Sequence, residues 1–231
     1  MDAYGGRMQN SAEGDATDER TAVILAGHRG DNATARAALS SADAAVRAAA
    51  LSALARIGVL SADELVVGLG DADRVVAARA ADLSAKEAAD ETVDSSLLVL
   101  LASDDTDLAE VAAWALGERH QRNDADTDEI PEAHGPGHIV AALVAVATDH
   151  GDALVRESAV AALGCIGDDS SLSAILRACD DKATVRRRAI IALASFEGPD
   201  VDAALKRALG DRDWQVRQAA EDLTSETSTS P

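Results

Sequence analysis

Two groups of residues in this chain of 231 have the types and spacing from which chemistry is made. The first is His120, His134 and His138, set among Glu118, Asp124, Asp126, Asp128, Glu129 and Glu132. A His-x3-His pair with a carboxylate binds zinc when both imidazoles share one helical face. Here Gly135, Pro136 and Gly137 stand between His134 and His138, so the rings do not share a face, and no Cys joins them. The alternation from Asp124 to Asp128 has neither the glycine nor the closing glutamate of a calcium loop. The segment therefore reads as a solvated acidic loop, with no metal site expected. The second group is Arg186, Arg187 and Arg188, continued by Arg177, Arg207, Arg212 and Arg217, a cationic concentration in an acidic chain. Guanidinium groups pair bidentately with carboxylate and phosphate, so Arg187 and Arg188 are candidates for gripping an acidic partner, against a structural use of the whole cluster.

Aromatic residues are scarce, at 2 Trp, 1 Tyr and 1 Phe, so any exposed indole is a candidate contact anchor. Trp114 falls in an apolar helical register, which predicts packing. Trp214 directly follows Asp213 near the end of the chain, and both packing and partner contact stay open for it. Neither Gly-x-Ser-x-Gly nor a Walker-type phosphate loop is present, and no Cys or Ser stands with His and Asp in a recognisable arrangement. No enzyme and no cofactor are expected on these grounds. Cys165 and Cys179 have neither disulfide-framework nor metal spacing and read as small core hydrophobes.

The elements that must position these residues follow from composition and repetition. With 52 Ala and 47% hydrophobic residues, the core is built of small side chains on closely approaching helices, an all-α composition. A motif recurs: Asp43-Ala-Ala-Val46-Arg47-Ala-Ala-Ala50-Leu51-Ser-Ala53-Leu54-Ala-Arg-Ile57-Gly58 returns as Asp152-Ala-Leu-Val155-Arg156-Glu-Ser-Ala159-Val160-Ala-Ala162-Leu163-Gly-Cys-Ile166-Gly167. Further copies run from Val185-Arg186 and from Asp213 through Val216-Arg217, with weaker ones from Asp73 and Asp105. The marker positions are 46, 76, 108, 155, 185 and 216, so the steps are 30, 32, 47, 30 and 31 residues. One step is long, and its excess falls in the acidic segment 118–137, which is thereby an insertion loop. A unit of about 30 residues with two helices cannot bury its apolar stripe alone and must stack on its neighbours.

Within each copy the apolar positions recur at three and four, on one helical stripe. Asp43, Asp73, Asp105, Asp152 and Asp213 precede the marker by three and are placed to cap the second helix, whereas Lys182 departs from this. First helices are predicted at about 32–39, 61–69, 94–101, 138–147, 171–178 and 200–209, with a capping box at Ser61 and Glu64 and helix stops at Gly58 and Gly167.

The pattern Asp-x-x-Val-Arg-x-x-Ala-x-x-Ala-Leu-x-x-Ile-Gly resembles the HEAT repeat, in the short form of the phycobilisome-lyase-like group. The resemblance implies an α-solenoid, a superhelix of about six two-helix HEAT repeats over 20–223. It also implies that the recurring Asp and Arg, here Asp43, Arg47, Asp152, Arg156, Arg186, Asp213 and Arg217, form a hydrogen-bonded ladder between repeats. Ala77 and Ala109 replace the arginine in copies two and three, so the ladder is expected to break there. The function it implies is a non-enzymatic scaffold or adaptor holding another protein on its concave face, with Arg187, Arg188 and Trp214 as contact candidates, in a signalling assembly such as those of taxis. The alternative it carries is tetrapyrrole binding or lyase activity.

Charge bounds the partner. A net charge of -20 and a pI near 4.4 leave no electrostatic footprint for nucleic acid. Asp outnumbers Glu 28 to 13 and Arg outnumbers Lys 18 to 3, which resembles the composition of extreme halophiles. In molar salt the Debye length falls to about 3 Å, so this charge repels itself weakly there, and poor folding at low salt is expected. Residues 1–19 and 224–231 are polar and read as disordered tails. Met1 to Glu19 has no apolar stretch for a signal peptide or membrane anchor, which points to a cytoplasmic protein without membrane insertion.

Overall fold

The structure, a computed structural model, describes residues 5–87, 90–121 and 137–227, with side chains from 16 and as far as 225. Every regular element among the described residues is helical: α1 (Gly5–Arg29), α2 (Asn32–Ala37), α3 (Ala44–Ile57), α4 (Ala62–Leu69), α5 (Arg74–Ser84), α6 (Glu91–Leu101), α7 (Thr106–Arg119), α8 (Gly137–Asp149), α9 (Ala153–Ile166), α10 (Leu172–Ala178), α11 (Ala183–Ala192), α12 (Pro199–Ala208) and α13 (Trp214–Thr227), with short 3-10 turns after α2, before α10 and after α11. Stacked helix pairs of this kind are an α-solenoid fold, as the periodicity predicts.

The caps explain why each second helix begins where it does. Asp43 accepts hydrogen bonds from the amides of Ala45 and Val46, Asp105 from Asp107 and Leu108, and Asp73, Asp152 and Asp213 from Val75, Leu154 and Gln215. Each such cap contributes about 1 kcal/mol. The capping box forms as expected, with Ser61 and Glu64 each accepting the other's amide. Gly58 and Gly167 end α3 and α9 in the left-handed region, at φ 79° and 66°.

The chain divides into two compact units, 1–96 and 97–231. In the first, α3 packs between α1 and α5, with α2 and α4 alongside. In the second, α7, α9, α11 and α13 pack in succession as one layer, and α8, α10 and α12 lie against it. The core of both is Ala with fully buried Leu and Ile, among them Leu51, Leu54, Leu116, Leu163, Ile175 and Ile190. Burying each Leu or Ile contributes roughly 1.5–3 kcal/mol. The close approach implied by the Ala content is visible in α7, α9 and α11. A Cβ on Gly117 would lie 2.7 Å from Cα of Ala162, and one on Gly164 would lie 2.6 Å from Cβ of Ala192.

Residues 5–19, read as a disordered tail, lie in α1, and 224–227 lie in α13. The N-terminal discrepancy has a structural cause: α1 is a seventh, degenerate copy of the second helix. Its Ala22, Val23, Gly27 and Gly30 align with Ala159, Val160, Gly164 and Gly167, and Gly30 takes the same left-handed conformation at φ 74°. Gly27 sits 3.0 Å, measured from its missing Cβ, from Ala53, as Gly117 does against Ala162. The copy escapes a motif search because Asp18 and Glu19 occupy the Val and Arg positions. At the insertion, Glu118 and Arg119 complete α7 and Gly137 opens α8. Most of the expected loop, including His134 and Asp124 to Glu132, lies outside the described residues.

Candidate functional site

The arginines at the motif position tie the stack together, which sets them apart from the rest. Arg47 makes a bidentate pair with Asp71 at 2.8 and 2.7 Å, and its third nitrogen donates to the carbonyls of Ser41 and Ala42. Arg156 repeats this with Asp181, both bonds 2.7 Å, and the carbonyls of His150 and Gly151. Arg186 does so with Asp211 and the carbonyl of Asp181. Each arginine thus ties its own loop to the loop one repeat on. The acceptors are not the recurring aspartates named from the motif. Asp43, Asp152 and Asp213 are occupied as caps, while the bridging carboxylate stands one or two residues earlier and also accepts the amide of Asp73, Lys182 or Asp213. The guanidinium hydrogen bonds hold Asp71, Asp181 and Asp211 below the ordinary aspartate range, and raise Arg47, Arg156 and Arg186 in turn. Among the described residues Arg217 donates to the carbonyls of Asp211 and Arg212 and to no carboxylate.

Where alanine replaces arginine, the bridging acid is missing too. Ala77 is followed one repeat on by Ser103, and Ala109 by His150. Ser103 and His150 keep only the local task, accepting the amides of Asp105 and Asp152. At the degenerate first copy, Ser41 donates instead to Glu19 at 3.2 Å.

What remains lies on the exposed face of the second-helix layer in 97–231. Trp114, Ala161, Ile191 and Asp222 hold the same register position on α7, α9, α11 and α13, six residues after each marker. This register explains why Trp114, expected to pack, is 38% exposed: the core-facing positions on either side of it are taken by Ala113 and Ala115. Leu154 and Trp214 are exposed on the same layer, Trp214 to 64%. Arg187, Ile191, Trp214, Gln218, Ala219 and Leu223 line a groove of about 400 Å³ between α11 and α13. On the other side of α11, a cavity of about 490 Å³ is lined by Arg188, Ile191, Cys165, Ser195, Glu197 and Gln121. The three candidates Arg187, Arg188 and Trp214 therefore border two adjoining recesses that share Ile191.

Arg188 is held quite differently from the ladder arginines. Among the described residues it pairs with Glu157 at 3.5 Å, and its buried Nε has no acceptor there. A buried donor left unpaired in this way costs about 1–3 kcal/mol. Cys165, in the same cavity, is pushed up by burial, and Cys179 is pushed up to about 11, so both are protonated thiols at neutral pH rather than nucleophiles. No cluster of three potential metal ligands occurs among the described residues; His120 ends α7 and His138 lies in α8. In 1–96 a smaller recess of about 210 Å³ is lined by Leu39, Leu51, Val67 and Val76 together with the Arg47–Asp71 pair of the ladder.

Residues 140–223 match the family model described as HEAT repeats. The matched segment contains the Arg156 and Arg186 rungs, the groove between α11 and α13, and all but Gln121 of the residues named for the cavity on the other side of α11. Among solved structures, an engineered protein is 23% identical, with a TM-score of 0.59, over 87% of this chain and 99% of that one. A designed armadillo repeat protein in complex with the peptide (KR)4 is 20% identical, with a TM-score of 0.58, over 81% and 95%. The protein YibA of Escherichia coli is 16% identical, with a TM-score of 0.56, over 79% of this chain and 66% of its own, so the chain spans just under two thirds of that protein. These likenesses establish the repeat-solenoid fold. No curated protein matches the chain. No described helix is long and apolar enough to cross a membrane.

Proposed function

We propose that this chain is a non-catalytic docking module, an adaptor that holds a partner protein against the exposed second-helix face of 97–231. The observation that carries the reading is Trp214, 64% exposed in a chain with two tryptophans, standing over a groove it shares with Arg187 and Ile191. An indole beside an arginine and aliphatic side chains is the composition of an interaction hot spot. Repeat solenoids commonly serve as protein-interaction modules because their outer residues are free of the stacking constraint. The similar designed armadillo protein was solved with a peptide bound, which supports the same use here. What the recesses offer is guanidinium, indole, amide and apolar surface with protonated thiols, suited to holding rather than to turnover. A cytoplasmic setting and a place in a signalling assembly, such as one serving taxis, belong to the same proposal and depend on the partner's identity.

The test is to purify the tagged chain from its native lysate in molar salt and compare it with the Trp214→Ala variant. A protein retained at stoichiometric amount by the first and lost from the second is the expected outcome. Retention of a coloured tetrapyrrole or a metal in place of a protein would overturn the adaptor reading in favour of the lyase-like alternative.

A further inference from the structure

The second-helix layer of 97–231 is joined by three steps, α7 to α9, α9 to α11 and α11 to α13, and they are not fastened alike. Near the C-terminal ends of the helices the first two steps match. A Cβ on Gly117 of α7 would lie 2.7 Å from Cα of Ala162, and one on Gly164 of α9 would lie 2.6 Å from Cβ of Ala192. A close contact at one point fixes the separation of two helices there and leaves their crossing angle to be set elsewhere. At the N-terminal, loop ends the steps differ. Arg156 ties the carbonyls of His150 and Gly151 to Asp181, and Arg186 carries the ladder on to Asp211. In the first step the arginine position is Ala109 and the bridging position is His150, so no guanidinium–carboxylate rung joins 102–105 to 149–152. Packing at that end follows suit: the markers Val155 and Val185 are fully buried, whereas Leu108 is half-buried. The covalent tether is also longer, since 120–136 connects α7 to α8 where 167–171 connects α9 to α10.

We propose that α7 and α9 form a built-in hinge, pivoting where Gly117 meets Ala162 and opening between the loops 102–105 and 149–152, while the rungs hold α9, α11 and α13 at fixed angles. The two ends of the step supply the two parts of such a device, a packed pivot and an unfastened edge. From Gly117 back to Thr106 is eleven residues of helix, about 16 Å, so a tilt of about 10° moves the loop by about 3 Å. Trp114 lies between pivot and loop and moves with α7, so the hinge sets the angle of the exposed face of α7 against that of α9, α11 and α13. The hinge holds whether or not that face carries a partner.

Distances between spin labels on the full-length protein, in salt that keeps it folded, read the two steps side by side. In a Cys165→Ala/Cys179→Ala background, labels at Asp104→Cys and Asp149→Cys span the first step, and labels at Asp149→Cys and Asp180→Cys span the second; all three positions are exposed. Double electron–electron resonance should give the first pair a distance distribution at least about twice as wide as the second. Arg156→Ala, which removes the rung of the second step, should widen the second pair to match the first. Ala109→Arg/His150→Asp, which supplies a rung, should narrow the first pair to the width of the second, with circular dichroism unchanged. Equal widths in the parent, or a second pair that stays narrow in Arg156→Ala, overturns the hinge. A folded Ala109→Arg/His150→Asp variant whose first pair stays wide overturns the missing rung as its cause. If that variant loses its helical signal because Arg does not fit at the buried Ala109, the parent and Arg156→Ala widths decide the matter.

Discussion

Arg186 and Arg187 are adjacent in sequence and opposite in circumstance. Arg186 turns to the loop side of α11, is 6% exposed, and spends its nitrogens on Asp211 and the carbonyl of Asp181. Arg187 turns to the open face of the second-helix layer and borders the groove of Trp214. On the loop side Arg47, Arg156 and Arg186 are each matched by a carboxylate that is itself tied down, whereas the face about 100° around the helix exposes guanidinium and indole. Residues that serve the stack are recognisable by the partners they reach. An arginine-rich run is thus two things, and only the partners of each side chain separate them.

The sharpest way to break this contrast is Arg186→Ala. It leaves Asp211 without its guanidinium in a mostly buried site and should cost about 3 kcal/mol. Thermal denaturation should show a fall of roughly 6–12 °C; a change under about 2 °C would mean the ladder is ornamental. Next in size is Gly164→Ala, whose Cβ would meet Ala192 at 2.6 Å, a contact made by backbone-anchored atoms that cannot swing away. Overpacking of this kind costs about 2 kcal/mol, measurable by urea denaturation. Asp43→Ala, which removes a cap and no bridge, should cost about 1 kcal/mol, distinguishing the capping aspartates from the bridging ones. Arg187→Ala should change stability by less than about 0.5 kcal/mol while weakening partner capture. Equal stability losses for Arg186→Ala and Arg187→Ala would erase the distinction between the two faces.

Acid should act on the ladder. Asp71, Asp181 and Asp211 have folded values below their unfolded ones, so they stabilise the fold above the unfolded value of about 4 and lose that contribution as pH falls through the folded values. A melting curve against pH should therefore be flat near neutrality and drop below about pH 4, with a shallower drop in Arg186→Ala than in the parent.

Much of the fold is legible in the residues alone. The 30-residue step predicts the helix pairs, since a stripe at intervals of three and four can be buried only by stacking, and Asp43 and Ser61 announce their helices by local chemistry that needs no distant partner. The first copy is hidden because Asp18 and Glu19 replace the residues that serve as markers, although Gly27 and Gly30 keep the spacing of Gly164 and Gly167. Trp114 defeats the pattern because a position six residues after the marker alternates among Trp, Ala, Ile and Asp, and apolar type alone does not tell an inward position from an outward one.

The sequence by itself determined the paired helices of the six marked repeats, the caps and the repeat period, because these depend on residues within a few positions of one another. Only the tertiary structure decided which aspartate bridges to which arginine, since Arg47 and Asp71 are 24 residues apart and meet through the stacking of two loops. It also decided which arginines are spare. A guanidinium declares its use by what lies within about 3 Å of it, and at Arg187 and Arg188 that depends on how α9, α11 and α13 pack, which no local pattern encodes.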